Sequence, residues 1–178
     1  LFEQHSIQTR KDDHTRFSNV YDVHLTSAFS EAQYHLNAQW AMKTGLRMEY
    51  HHALQQAYAL PRFTLAHKFH SAAQLSLAYG RFSQNPLPEY AHAQTALDQA
   101  RGEHFLLNLN YKTKTHLLRA EGYYKNYDRL VRYPSQDEIF RADNSGEGFA
   151  YGADFFWRAN NWIQNMDFWV SYGWLHSE

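Results

Sequence analysis

The sequence of 178 residues contains no cysteine, which excludes a disulfide framework and metal sites built from thiolates. It also lacks any run of about 18 apolar residues, so no transmembrane helix is predicted. The chain has no excess of positive charge either, with 17 Lys and Arg against 18 Asp and Glu. This balance argues against nucleic acid as a partner.

Aromatic residues are abundant, and apolar and polar residues alternate with a period of two, which predicts β-strands. In the clearest example, Met166, Phe168 and Val170 fall on one face of a strand and Asp167 on the other. The prediction is an all-β chain with strands at roughly 20–35, 39–51, 59–69, 72–83, 103–113, 116–132, 148–159 and 163–176. Residues 1–16 are polar and without period, which predicts a loop or disordered segment before a barrel domain at 17–178.

The connections between these strands alternate in length. Short ones are expected near 36–38, 70–71, 114–115 and 160–162, and long ones near 52–58, 84–102 and 133–147. This alternation is typical of an antiparallel up-and-down transmembrane β-barrel, whose short turns are periplasmic and whose long loops are extracellular. The alanine-rich stretch 91–101 predicts a short helix within its loop.

One face of the predicted sheet carries charges of both signs. They are Lys43, Arg47, Glu49, Arg62, Lys68, Arg119, Glu121, Lys125, Asp154 and Arg158. Because burying a charge in a dry core costs several kcal/mol per ion unless it is well paired, this face is expected to contact water. The apolar face must then contact either lipid or a second sheet.

Aromatic residues near the strand ends favour lipid, because transmembrane barrels carry aromatic girdles at both membrane interfaces. At the long-loop ends lie Tyr50, Tyr79, Phe82, Tyr124, Tyr127, Tyr172 and Trp174, and at the short-turn ends Trp40, Tyr111, Trp157 and Trp162. His67 departs from the pattern, because it falls on the lipid side of its strand. The alternative is a soluble barrel or sandwich, since aromatic residues favour strands in general.

Six segments, in this order, resemble the barrel of TonB-dependent receptors, especially those of Bacteroidetes-type bacteria. They are TGLRMEY (44–50), LPRFTLAHKF (60–69), LSLAYGRFSQNPLPEY (75–90), AEGYYKNYDRLVRYP (120–134), GFAYGADFFWR (148–158) and MDFWVSYGWLHS (166–177). The resemblance implies an outer-membrane location and energised uptake of a scarce nutrient, such as a metal chelate, glycan or peptide. It implies lipid, the TonB complex and a surface lipoprotein as partners, and neither a cofactor nor an enzymatic activity.

The sequence departs from that family in its extent. Family members carry an N-terminal plug domain and a TonB box, which are not visible here, and barrels of this type have about 22 strands. We therefore expect the chain to be about eight strands of a larger barrel, with contact to TonB made through a plug outside it. Two alternatives are a complete eight-stranded outer-membrane barrel with a structural or adhesive role, and a soluble ligand-binding barrel.

No residue pattern predicts a catalytic, cofactor or metal site. The closest histidine groupings are His51 with His52, His67 with His70, and His5 with His14, and none has carboxylate or cysteine partners at zinc spacing. Glu49, Glu121 and Asp154 are better interpreted as lumen-facing charges than as acid or base catalysts. The substrate-binding residues are unknown from the sequence, although Tyr90, Arg101, Tyr133 and Arg141 are expected in the long loops.

Overall fold

The computed structural model describes residues 2–8, 18–52, 54–86, 97–135 and 141–178, and within these it describes only the backbone of 2–8, 18–23 and 162–163. The described strands are β1 (Phe2–Gln8), β2 (Ser18–His35), β3 (Trp40–His51), β4 (Gln56–His70), β5 (Ala73–Gln84), β6 (Ala100–Lys112), β7 (His116–Arg132), β8 (Asp143–Ile163) and β9 (Met166–Ser177). They form one sheet in sequence order. Every neighbouring pair is antiparallel. The predicted up-and-down antiparallel architecture is confirmed.

The prediction of a loop or disordered segment at 1–16 is wrong for Phe2–Gln8. These residues form β1, which pairs with the first part of β2 from Phe2 opposite His24 to Gln8 opposite Ser18. The segment FEQHSIQ has no continuous apolar face, so its pattern gives no strand signal. Backbone hydrogen bonding does not require such a face, and the described sheet has one strand more than predicted.

The register places side chains that are directly opposite each other on the same face of the sheet. One row runs through Leu65, Leu77, Leu107, Gly122 and Ala153 on β4 to β8. Irregularities interrupt the ladder only near strand ends, in β4 after His67, in β7 after Tyr127 and in β8 after Ala159, among the pairs described. The middle of the sheet is therefore a regular two-faced wall.

The short turns occupy 36–39, 71–72, 113–115 and 164–165. Two of them are closed by side chains, because Asn37 Oδ1 accepts the backbone N–H groups of Gln39 and Trp40, and Thr113 Oγ1 accepts that of His116. At the opposite end, 85–99 and 133–142 are long as predicted. The predicted long loop 52–58 is wrong, because β4 begins at Gln56 and leaves only 52–55. The helix predicted at 91–101 is absent from 97–101, where Ala100 begins β6, and 91–96 lie outside the described residues.

Within the described chain, β1 and β9 each pair with a single neighbour and not with each other. The topology therefore does not support the alternative of a closed eight-stranded barrel. No helix among the described residues is long and apolar enough to span a bilayer.

Two glycines of the wall differ in the space around them. A Cβ on Gly152 would lie 2.5 Å from the Tyr123 hydroxyl oxygen and closer still to the Trp174 carbonyl oxygen, whereas a Cβ on Gly122 would meet nothing within 4 Å. We expect Gly152→Ala to destabilise the folded barrel by about 1–3 kcal/mol, because β9 must shift to relieve the clash. Gly122→Ala is the matched control. The urea midpoint in detergent measures both, and equal midpoints would contradict the close approach of β8 and β9.

Candidate functional site

The charged face predicted from the sequence is present. The register places nine of its ten predicted charged residues on one face, and Lys68 lies in the irregular stretch of β4 after His67. Lys43 pairs with Glu31 at 2.8 Å, and Arg47 pairs with Glu49 at 2.5 Å. Glu49 also accepts a hydrogen bond from Ser83 at 3.1 Å. Glu49 is thus held by neighbouring side chains, as expected for a wall residue.

Glu121 and Asp154 lie directly opposite each other on β7 and β8. The side chain of Asn108 donates a hydrogen bond to Glu121 at 3.2 Å. Neither carboxylate forms an ion pair with a cation in the part of the chain that the structure describes. Adjacent carboxylates are tolerated in water and are costly in a dry interior, so this arrangement is the one expected of a hydrated face.

The opposite face is apolar and exposed. Leu77 and Leu107, neighbours on β5 and β6, are each 50% exposed. The same face carries the exposed side chains of Leu46, Met48, Leu75, Phe105, Tyr111, Tyr124, Tyr151, Phe155, Val170, Tyr172 and Trp174. No second sheet covers it within the described ranges. A continuous apolar surface of this extent is the expected surface of a lipid-facing wall and argues against the soluble alternatives.

The aromatic girdles are confirmed in large part. Tyr50, Tyr79, Tyr124, Tyr172 and Trp174 lie on the apolar face near the long connections, and Trp40, Tyr111 and Trp157 lie on it near the short turns. The side chain of Trp162 lies outside the described residues. His67 also lies on this face, where its ring stacks on Trp40 with centroids 4.1 Å apart, which explains how a polar ring is accommodated there.

Phe82 and Tyr127 are exceptions to the predicted girdle. Both lie directly opposite Gly102, on the charged face. The sequence interpretation groups them with the girdle because they lie near the ends of their strands. The face on which a side chain lies is instead set by the alternation along the strand, which places both on the charged face.

The long-connection end of the sheet is closed by a polar cluster around Asp98, in the connection between β5 and β6. Its carboxylate accepts a hydrogen bond from the hydroxyl of Tyr58 on β4 and forms an ion pair with Arg129 on β7. Arg101 Nη2 lies 3.9 Å from the same carboxylate. A single side chain in the connection therefore joins strands that are not adjacent in the sheet.

Asn144 of β8 fixes the backbone beside this carboxylate. Its Oδ1 accepts the N–H of Asp98 at 2.7 Å, and its Nδ2 donates to the carbonyl oxygens of Asp98 and Arg129 at 3.1 and 2.8 Å. The flanking Leu97 and Gln99 are buried. We call Tyr58, Asp98, Arg129 and Asn144 the loop anchor.

Arg129 is positioned by the irregularity in β7. Its φ of 59° is in the left-handed region that residues other than glycine seldom occupy. The pairing of β7 with β8 shifts between Tyr127 and Leu130 at the same place. Bulges re-aim side chains at strand ends, and here the bulge brings the guanidinium to Asp98.

Burial of Asp98 opposes its ionisation, but the hydrogen bond from Tyr58, the N–H of Gln99 and the charge of Arg129 outweigh this effect. The pKa of Asp98 is therefore lowered from its ordinary value. A carboxylate with a lowered pKa contributes stability that is present above its ordinary pKa of about 3.9 and is lost as the pH falls through the lowered value. The loop anchor is thus fully charged at neutral pH. Asp143, at the start of β8, also has a lowered pKa because Ser145 hydrogen-bonds to it.

Of the four residues predicted to lie in the long loops, only some lie there in the structure. Arg101 lies in β6, so its assignment to a loop is wrong, whereas Tyr133 and Arg141 lie in the 133–142 connection as expected. Tyr90 lies outside the described residues. The sequence does not predict Tyr58, Asp98 and Asn144 as site residues, because no local pattern distinguishes them from other polar residues near strand ends.

Among the histidines whose side chains the structure describes, the members of the predicted groupings do not share a hydrogen-bond partner. His51 is buried and its Nδ1 accepts the backbone N–H of Leu54, while His52 is exposed and contacts Thr26 Oγ1 at 2.9 Å. His70 Nδ1 accepts the N–H of Ala72. His14 and the side chain of His5 lie outside the described residues. Across the described ranges, no three His, Cys, Asp or Glu side chains form a potential metal site.

Comparison with known proteins assigns the sheet to a family. Residues 4–178 match the family model "TonB dependent receptor-like, beta-barrel". The chain belongs to the TonB-dependent receptor family. Comparison with curated protein sequences found no match. The family consists of receptors and transporters of the bacterial outer membrane. The barrel segment formed by this chain therefore lies in that membrane.

Solved structures share the fold of this receptor segment. The siderophore receptor PirA from Pseudomonas aeruginosa is 10% identical, with a TM-score of 0.77 over 89% of this chain and 32% of PirA. The outer membrane transporter YddB from Escherichia coli is 12% identical, with a TM-score of 0.72 over 92% and 26%. The FrpB iron transporter from Neisseria meningitidis is 15% identical, with a TM-score of 0.68 over 88% and 25%. The chain thus spans a quarter to a third of the length of these structures.

Adjacent residues in β6 test the assignment of the two faces. Leu107 lies on the apolar face and Asn108 on the charged face. Leu107→Arg is expected to destabilise the folded barrel by about 2–4 kcal/mol if it lies near the bilayer midplane, because it exposes a charge to lipid. Asn108→Arg, the control, is expected to fold normally beside Glu121. Folding into lipid vesicles, followed by heat-modifiable migration, measures both, and equal folding would refute the assignment.

The loop anchor predicts a local effect of Asp98→Asn. The variant keeps the shape of the side chain but loses the charge that pairs with Arg129, which is expected to cost about 1–3 kcal/mol. Hydrogen exchange should speed up at the amides of Asp98 and Gln99 while the wall stays protected. Asp128→Asn is the control, because Asp128 is exposed and 3.9 Å from Arg129. Unchanged exchange in Asp98→Asn would show that the ion pair does not hold the connection.

Proposed function

We propose that this chain supplies barrel wall and extracellular connections to a receptor that takes up a scarce nutrient with energy from the TonB complex. The observation that carries the proposal is the family match over 4–178. The two-faced sheet supports it, because a transporter wall must present lipid with one face and a hydrated passage with the other.

The proposal assigns a direction to the two ends of the sheet. The short turns lie in the periplasm, and the long connections with the loop anchor lie outside the cell. The charged face borders the lumen, where a plug domain outside this chain makes contact with TonB. A surface lipoprotein is a further proposed partner on the extracellular side, and no catalytic role is proposed for any residue.

The nutrient is proposed to be a metal chelate, a glycan or a peptide. The solved relatives named above include a siderophore receptor and an iron transporter, but at 10–15% identity they support the fold alone. The residues of the charged face are the better guide to the substrate.

A direct binding measurement tests this function. The protein that carries this chain, folded in detergent, should bind the purified periplasmic domain of TonB in biolayer interferometry. Asp98→Asn should bind equally well, because the loop anchor lies at the end of the wall away from TonB. A folded barrel that shows no binding to TonB would contradict the proposed function.

A further inference from the structure

Two rings stack on each other on the apolar face, at the end of the sheet that carries the short turns. Trp40 is the first residue of β3, and the register places it directly opposite His67 on β4. Their ring centroids are 4.1 Å apart and their planes differ by 8°. The ring of Phe69 lies 6.3 Å from that of His67. We call Trp40 and His67 the stacked pair.

The stacked pair lies where the apolar band of the wall ends. On the same strand, Trp40 belongs to the girdle at the short turns and Tyr50 to the girdle at the long connections. The length of strand between them, tilted by about 40°, spans about 25 Å along the membrane normal, which is the height of the apolar band of an outer-membrane barrel. Residues 36–39, next to Trp40, already form the turn. The stacked pair is therefore at the level of the lipid headgroups.

Both rings of the stacked pair carry an N–H group that needs an acceptor. The indole of tryptophan always donates, and an imidazole ring retains at least one N–H. Neither ring has a hydrogen-bond acceptor among the side chains and backbone groups that the structure describes. Hydrocarbon would leave both N–H groups unsatisfied at a cost in free energy, whereas the phosphate oxygens of lipid headgroups can accept them.

The two ends of the sheet differ in the sign of their charge. The short connections, taken with three residues on either side, contain the cations Lys68, Lys112 and Lys114 and the carboxylate Asp167. The long connections, taken with the same margins, contain the cations Arg101, Arg132 and Arg141 and the carboxylates Glu49, Glu89, Asp98, Asp137, Glu138 and Asp143. An edge with an excess of lysine attracts anionic lipids. The end that carries the stacked pair is thus the end that is complementary to them.

Lys68 brings this positive charge next to the stacked pair. It follows His67 in the chain and is exposed. Its backbone N–H donates to the carbonyl oxygen of Gln39, the residue before Trp40, at 2.7 Å. A lysine side chain at the edge of a bilayer extends its ammonium group to the headgroups while its methylenes stay on apolar surface.

We infer that the stacked pair and Lys68 bind the phosphate group of an anionic phospholipid such as phosphatidylglycerol. The phosphate accepts hydrogen bonds from the two rings and pairs with the ammonium group, and the acyl chains lie along the apolar face toward Leu65 and Leu75. Water could also satisfy the two N–H groups, but it gives no role to the lysines at this end. The inference takes from the proposed function only that the short turns face the periplasm, which makes the lipid one of the periplasmic leaflet.

Native mass spectrometry measures this binding. The folded, full-length protein in detergent is titrated with dioleoylphosphatidylglycerol and, separately, with dioleoylphosphatidylcholine, which has the same acyl chains but no net charge. The first phosphatidylglycerol is expected to bind at least about fivefold more tightly than the first phosphatidylcholine. Equal binding of the two lipids would overturn the inference. Displacement of phosphatidylglycerol by an excess of inorganic phosphate would also overturn it, because the acyl chains would then contribute nothing.

Variants locate the lipid. His67→Phe keeps a stacked ring but loses the N–H, and Lys68→Gln loses the charge, so each should weaken phosphatidylglycerol binding by about fivefold. Lys112→Gln is the matched control for charge, because Lys112 is exposed at the same end but lies on the charged face. His52→Phe is the control for the ring, because His52 contacts Tyr50 at the opposite end. Both controls should bind phosphatidylglycerol as the unchanged protein does.

Heat-modifiable migration confirms that each variant is folded. Unchanged phosphatidylglycerol binding in folded His67→Phe and Lys68→Gln would overturn the site, and an equal loss in Lys112→Gln would show that net charge and not the stacked pair attracts the lipid. None of these results depends on TonB. A receptor that binds TonB without preferring phosphatidylglycerol therefore refutes only this inference, whereas failure to bind TonB refutes the proposed function.

Discussion

Backbone hydrogen bonding between neighbouring strands is the constraint on which the other features of this wall depend. A bilayer core offers no water to unpaired N–H and C=O groups, so each strand there must be paired along its length. The sheet meets this requirement with ladders that run without interruption through the middle of β3 to β8. Once the backbone is extended and paired, alternation sends every second side chain to the apolar face and the others to the charged face.

Near the strand ends, where water can hydrogen-bond to the backbone, complete pairing is no longer required. The irregular features of the described sheet are found there. The bulge in β7 after Tyr127 places Arg129 at a positive φ and directs it toward Asp98. Such local strain persists only where surrounding contacts hold it, and the ion pair and Asn144 supply those contacts. A regular wall thus supports an end at the long connections where one connection is fixed by a few polar side chains.

The sequence predicts the wall well because alternation is a local signal, and eight of the nine described strands carry it. It misses β1, whose residues lack an apolar face. It also assigns Phe82 and Tyr127 to the wrong face, because their positions near the strand ends resemble those of the girdle residues although alternation places them on the charged face. The loop anchor is not predictable in this way, since Asp98 and Arg129 are 31 residues apart and meet through a bulge.

The 178 residues contain no cysteine, so a single cysteine introduced into them can be used to measure the two faces of the wall directly. Single cysteines introduced at positions 104 to 109 of β6 and labelled with a fluorophore report whether each side chain is quenched by a lipid-attached or a water-soluble quencher. Labels at Phe105, Leu107 and Leu109 should be quenched from the lipid, and labels at His104, Leu106 and Asn108 from water. Quenching without a two-residue period, or with lipid access at His104, Leu106 and Asn108, would contradict the account.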